Sequence, residues 1–188
     1  MSAQEGTLPP DAGAPEEVVW EGRFVTAKKR GRWEYVSRAR GIRAAVIVAI
    51  DGGHVILVEQ YRVPMGRASL EMPAGLVGDG DDDGDEEAET AARRELEEET
   101  GYRAHSIEDC GLFYSSPGML SESFHLFRAT ELERVGDGGG TASENITVHR
   151  VALDEVPAFV EERRKAGVGI DTKLMLLLGG AIIGRKRA

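Results

Sequence analysis

A chain of 188 residues has room for one domain of ordinary size, with or without tails, and can bury a core of its own. Its 33 acidic residues against 23 basic ones leave a net charge of -10, which speaks against a sequence-independent grip on nucleic-acid phosphates; any phosphate handled here needs another source of positive charge, such as a metal ion. The single cysteine, Cys110, excludes a disulfide framework and a cysteine-based zinc cluster, and reads as a small core residue.

In chain order, residues 1–17 lack the basic start and apolar run of a signal peptide, and their Pro, Gly, Ala and Glu content predicts a disordered tail and a cytoplasmic address. Residues 18–40 contain two strand-like stretches, EGRFVTA and WEYVSRA, around the basic turn KKRGR, so a β-hairpin extension is expected before a main domain over 41–188. The apolar runs 42–50 and 55–61, separated by Asp51-Gly52-Gly53, predict a central strand pair. A loop with Pro64 and Gly66 leads to a short strand over 69–72, a break at Pro73-Ala74-Gly75, and an acidic, glycine-rich solvated loop over 78–85. Residues 86–100 are good helix formers, and Gly101 stands where a left-handed C-cap belongs. Strands are expected over 107–114, 123–129 and 146–151, and helices over 153–166 and 172–183. The apolar stretch 174–184 is too short for a membrane span and reads as a core helix. The fold class is α+β, with a mixed sheet flanked by helices.

The helix over 86–100 carries the most informative pattern. At 3.6 residues per turn, Glu95, Glu98 and Glu99 fall within an arc of about 100°, shared with Ala88, Ala91 and Ala92. Glu95 and Glu99 form a like-charged i,i+4 pair, which costs helix stability, so a cation is expected on that face; the plainer reading is a solvated acidic face. Oxygen ligands without Cys or His favour a hard ion, Mg2+ or Mn2+, over zinc. Arg94 lies four residues before Glu98 and is expected to pair with it.

Gly80, five residues, Glu86, seven residues, then Arg94-Glu95-Leu96-Glu97-Glu98-Glu99-Thr100-Gly101-Tyr102 resembles the Nudix box, GX5EX7REUXEEXGU, at every defined position. In close relatives the opening glycine is that of the preceding Pro-Ala-Gly, whereas Gly75 here is too far from Glu86 for that. The lengthened loop also imitates a calcium loop at Asp79, Asp81, Asp83 and Gly84, but Thr90 stands at the twelfth position where a glutamate is needed.

Outside the box, VEQYRVPMG and LEMPAGLV are similar to the ADP-ribose pyrophosphatase branch of that family. The resemblance implies that Arg62 contacts a phosphate and that the Ala74 carbonyl joins Glu95, Glu98 and Glu99 as metal ligands. It places Ser116-Pro117-Gly118 with Glu122 near the terminal ribose, although Met119 and Leu120 shift the usual spacing. It makes Glu144 the catalytic base, with Glu98 as the substitute, and it gives Trp33 and Glu34 the adenine, across a homodimer interface. The plainer readings are a salt bridge for Arg62, simple exposure for Glu144, and packing of a hairpin or interface for Trp33 and Trp20. The resemblance as a whole implies a Nudix-type α/β/α sandwich that uses magnesium to hydrolyse ADP-ribose to AMP and ribose 5-phosphate, with neither nucleic acid nor membrane as a partner. GDP-mannose or another sugar nucleotide is the rival substrate. A regulatory protein that binds ADP-ribose without cleaving it is the rival of another class, against which the intact box and the lack of a basic patch both count.

Overall fold

The computed structural model describes residues 8–78, 86–141 and 144–183, and the chain divides into two units. The first comprises Met1–Arg43 and Phe113–Phe124. In it, β1 (Glu16–Glu21), β2 (Val25–Arg30) and β3 (Trp33–Arg38) form an antiparallel meander in the order β1-β2-β3. The hairpin expected from the KKRGR turn is β2–β3, turning at Gly31 with φ 57°. A strand the sequence reading placed partly in the tail, β1, joins it. Glu16 is one reason: its carboxylate accepts from Lys28 Nζ at 2.8 Å, Arg30 Nη2 at 3.1 Å and Tyr35 Oη at 2.5 Å, across all three strands. Those bonds, Lys28 first, hold its pKa down to about 2. Residues 1–7 of the expected tail lie outside the described residues, and Pro10–Gly13 make a 3-10 turn.

The second unit comprises Ala44–Leu112 and His125–Ala188. The chain runs through β4 (Ala44–Asp51), β5 (His54–Arg62), β6 (Arg67–Glu71), β7 (Ala74–Leu76), α1 (Ala88–Thr100), β8 (Tyr102–Tyr114), β9 (Ser123–Arg134), β10 (Thr147–Ala152), α2 (Val156–Lys165), β11 (Gly169–Ile170) and α3 (Met175–Ile183), the ends of β8 and β9 passing into the first unit. The strand order is β11-β6-β5-β4-β9-β8, with β7 on β4 and β10 on β5. Antiparallel β5–β6 and parallel β6–β11 make the sheet mixed. Strand alternation explains its burial: Ala45, Ile47 and Ala49 of β4 pack with Ala92 and Leu96 of α1 and with Phe127 and Ala129, while the alternate residues Val46 and Val48 are buried on the opposite face. Helix α2 buries Val156 and Val160 and packs on β10 and β11. Helices thus cover a mixed sheet, the α+β class expected.

Three expectations change. The helix predicted over 153–166 starts at Val156, because Pro157 has no amide hydrogen to donate and fits only the first turn. Cys110 is exposed rather than in the core, since β8 is the edge strand and only Ala104 along it is buried. The apolar stretch from 174 is no core helix: α3 buries Leu178 but leaves Met175, Leu176, Ile182 and Ile183 exposed, as a nine-residue helix packed against α2 shields one side alone. Among the described residues, no helix is long and apolar enough to cross a membrane.

Candidate active site

Helix α1 presents Ala91 and Ala92 to the core, with Glu99 buried beside them. Ala91 and Ala92 are fully buried, and Glu99, two turns further along the same face, is only 3% exposed. The Glu99 Oε2 accepts the Ala74 N–H at 3.0 Å. Burial pushes the Glu99 carboxyl up to about 8; the Ala74 N–H opposes this, and the negative charges of Glu95 and Glu144 add to it. Gly101 ends the helix in the left-handed conformation, φ 73°, and donates its N–H to the Glu97 carbonyl at 2.9 Å.

Arg94 gathers the neighbouring carboxylates. It reaches Glu95 at 2.8 Å, Glu98 at 3.3 Å, Glu86 at 3.3 Å and the Leu76 carbonyl at 3.4 Å. Glu86 also accepts the Gly78 N–H at 3.0 Å, so the strand–loop–helix connection is fastened at both ends by one carboxylate. Gly75 supplies the remaining requirement. A β-carbon there would overlap the Glu95 side chain, so glycine lets Glu95 lie against β7 in this rotamer.

The glycine-rich segment before Glu144 is docked on the end of α1. Gly139 N–H donates to the Glu99 carbonyl at 2.8 Å, Gly140 N–H to the Glu98 carbonyl at 3.0 Å, and Val135 N–H to the Gly101 carbonyl at 2.8 Å. These bonds satisfy carbonyls that a helix C-terminus leaves without partners. A β-carbon on Gly138 would come within 2.7 Å of the Glu99 carbonyl oxygen. Glu144 itself is exposed, and its Oε2 accepts from Thr141 N–H at 2.7 Å and Thr141 Oγ1 at 2.9 Å.

Arg62, at the end of β5, grips Glu71 through two parallel bonds, Nε to Oε1 at 2.8 Å and Nη2 to Oε2 at 2.7 Å. In the first unit, Trp33 and Tyr35 lie on one face of β3 and line a cavity of about 400 Å³ with Arg30, Tyr114, Pro117 and Leu120. Glu34 does not line it, because consecutive strand residues point to opposite faces; the structure does not bring the Trp33-Glu34 pair together there. Glu122 accepts from Arg38 Nε at 2.6 Å and from Ser115 Oγ at 3.0 Å. Gly80 and the calcium-loop residues Asp79, Asp81, Asp83 and Gly84 lie outside the described residues.

A divalent cation fits the chemistry of the α1 face: a buried carboxylate that cannot easily ionise beside like charges is stabilised by a positive neighbour, and every donor is a hard oxygen. The set is not gathered as it stands. Among the described residues, no three Asp, Glu, His or Cys side chains are grouped so as to hold a metal, because Glu95 and Glu98 are turned onto Arg94.

A NUDIX domain matches residues 39–168. The chain belongs to the Nudix family. It is 39% identical over 120 residues to an ADP-ribose pyrophosphatase of Bacillus subtilis, covering 63% of this chain and 62% of that protein. It is 37% identical over 149 residues to a GDP-mannose pyrophosphatase of Cronobacter sakazakii, covering 74% and 72%. A solved ADP compounds hydrolase shares the fold, with a TM-score of 0.66 at 23% identity over 93% of this chain and 95% of that one. The chain spans a little over three fifths of the length of the curated relatives it first matches.

Within the Nudix box, Glu86 and Arg94 hold the helix start to β7, while Gly75, which lies outside the box spacing, makes the contact with Glu95. Sequence reasoning passed over Glu71 and the docking of Gly138 to Gly140. The first had a signal, an acidic residue set between Leu70 and Met72 at the end of a strand; the second had none beyond glycine content.

Proposed function

We propose that this Nudix protein is a magnesium-dependent hydrolase of nucleoside diphosphate sugars that converts ADP-ribose to AMP and ribose 5-phosphate. The carrying observation is the buried Glu99 carboxylate, raised in pKa to about 8 beside Glu95 and Glu144, a site whose charge a divalent ion would balance. The relatives named for ADP-ribose and GDP-mannose support a sugar-nucleotide substrate.

Glu95, Glu98 and Glu99, with the Ala74 carbonyl, would hold the ion once Glu95 and Glu98 leave Arg94. Bound magnesium would neutralise the diphosphate and lower the pKa of the attacking water. Arg62 orients the diphosphate through the part of its guanidinium that Glu71 leaves free. Glu144 takes the proton of the water, after releasing Thr141. The aromatic cavity of the first unit, with Trp33 and Tyr35, offers stacking faces for the adenine of a substrate bound across a homodimer interface. The exposed Val18, Val19 and Trp20 of β1 support a homodimer built on that unit.

The test is a panel of ADP-ribose, GDP-mannose, ADP-glucose and a diadenosine polyphosphate, with and without Mg2+ or Mn2+, products identified by chromatography. AMP from ADP-ribose, lost on chelation, is expected. A preference for GDP-mannose would replace the substrate, and tight ADP-ribose binding without turnover would replace the enzyme by a sensor.

A further inference from the structure

Glu71 is a carboxylate buried in the sheet, 5% exposed, opposite Val58 of β5. Both of its oxygens are used on Arg62, whose side chain keeps 42% of its surface open. Taking the Glu71 charge out of water is costly, and an ion pair with one buried partner is a poor source of stability compared with apolar packing. What a two-bond clamp does supply is direction: it fixes the plane of the guanidinium and where its open edge points. Three residues after Glu71, the Ala74 N–H holds Glu99, so one short stretch of chain sets both the guanidinium and the buried carboxylate of α1. Arg62 and Glu99 are near enough for their charges to act on each other, and Asp171 adds to the field on Arg62.

We propose that Glu71 is a positioning residue, which aims the Arg62 guanidinium at the substrate diphosphate and takes no part in bond breaking. The proposal rests on the reading of the site given above. It is tested with Glu71→Gln, Arg62→Gln, the double variant, and Arg62→Lys, reading KM and kcat for ADP-ribose, the Kd of ADP-ribose by calorimetry in EDTA, and melting temperature. Glu71→Gln should raise KM and Kd about tenfold with little change in kcat, and should add almost nothing in the Arg62→Gln background. Arg62→Lys, which keeps the charge and loses the clamp, should resemble Glu71→Gln, and it carries the test should Arg62→Gln fail to fold. A Glu71→Gln protein that melts lower but keeps its KM and Kd, an equal loss in both backgrounds, or a wild-type-like Arg62→Lys overturns the assignment to Glu71 alone. A wild-type protein that neither cleaves nor binds any sugar nucleotide of the panel overturns the reading of the site and this proposal with it.

Discussion

Gly75 and Glu95 are in such close approach that a β-carbon on the glycine would occupy the space of the Glu95 carboxylate. The contact joins β7 to α1 where the acidic face begins, and it separates two quantities that are often confounded, the stability of the fold and the aim of a side chain.

Gly75→Ala is expected to be mild for folding and severe for turnover. The obstructing atoms belong to the end of a side chain, so Glu95 can move off its rotamer at a cost of about 1 kcal/mol. If Glu95 ligates the ion, the same movement takes the ligand away, and kcat/KM should fall by at least about tenfold. Thermal melting beside steady-state rates checks this; parallel losses would show that the glycine serves the fold alone.

Glu99→Gln should abolish turnover, by on the order of a thousandfold, while leaving a folded protein, because the amide fills the same buried space. Circular dichroism and AMP release measure the two. Near-normal rates would end the proposed scheme.

The raised Glu99 pKa predicts how the metal-free protein responds to pH. The folded value of about 8 stands above the ordinary 4.5, so this group's contribution to stability is full at acid pH and is lost as pH rises through the folded value. Melting temperature in EDTA should therefore decline between about pH 5 and pH 8, magnesium should restore it at the alkaline end, and Glu99→Gln should flatten the slope. A metal-free protein that gains stability over that range would contradict the burial of an uncompensated carboxylate.

Gly138→Ala should destabilise by about 2 kcal/mol, since both the left-handed φ of 68° and the overlap with the backbone of α1 oppose a side chain. For a domain of this size that is a drop of roughly 4–8 °C in melting temperature. Unlike Gly75→Ala, it should cost stability and rate together.

Trp33→Ala should raise KM for ADP-ribose by about tenfold with kcat little changed, if the ring stacks on the base. Tyr35→Ala should do the same more weakly, while Glu34→Ala, on the other face of β3, should not. An effect of Glu34 as large as that of Trp33 would place the base outside the cavity.

The legible parts of the chain were those whose signal is local. The α1 glutamates betray themselves by period and by an unfavourable like-charged pair, and the β4–β5 hairpin by alternation around Asp51-Gly52-Gly53. Strand β1 was hard to read because its anchors, Lys28, Arg30 and Tyr35, lie 12 to 19 residues further along the chain. The clamp of Glu71 on Arg62 depends on a register between β5 and β6 that no local pattern specifies. Hydropathy made α3 look like core, yet burial is decided by what lies opposite, and among the described residues Met175, Leu176, Ile182 and Ile183 of α3 stay exposed.

The segment from Gly138 to Gly140 grips α1 through main-chain atoms only. Replacing the side chains around it one at a time would therefore leave the grip untouched, and a survey that spared the glycines would score the segment as dispensable. Beyond Gly138 itself, its vulnerability lies in length: one residue added or removed between Gly136 and Gly139 would shift the Gly139 and Gly140 amides to the wrong carbonyls.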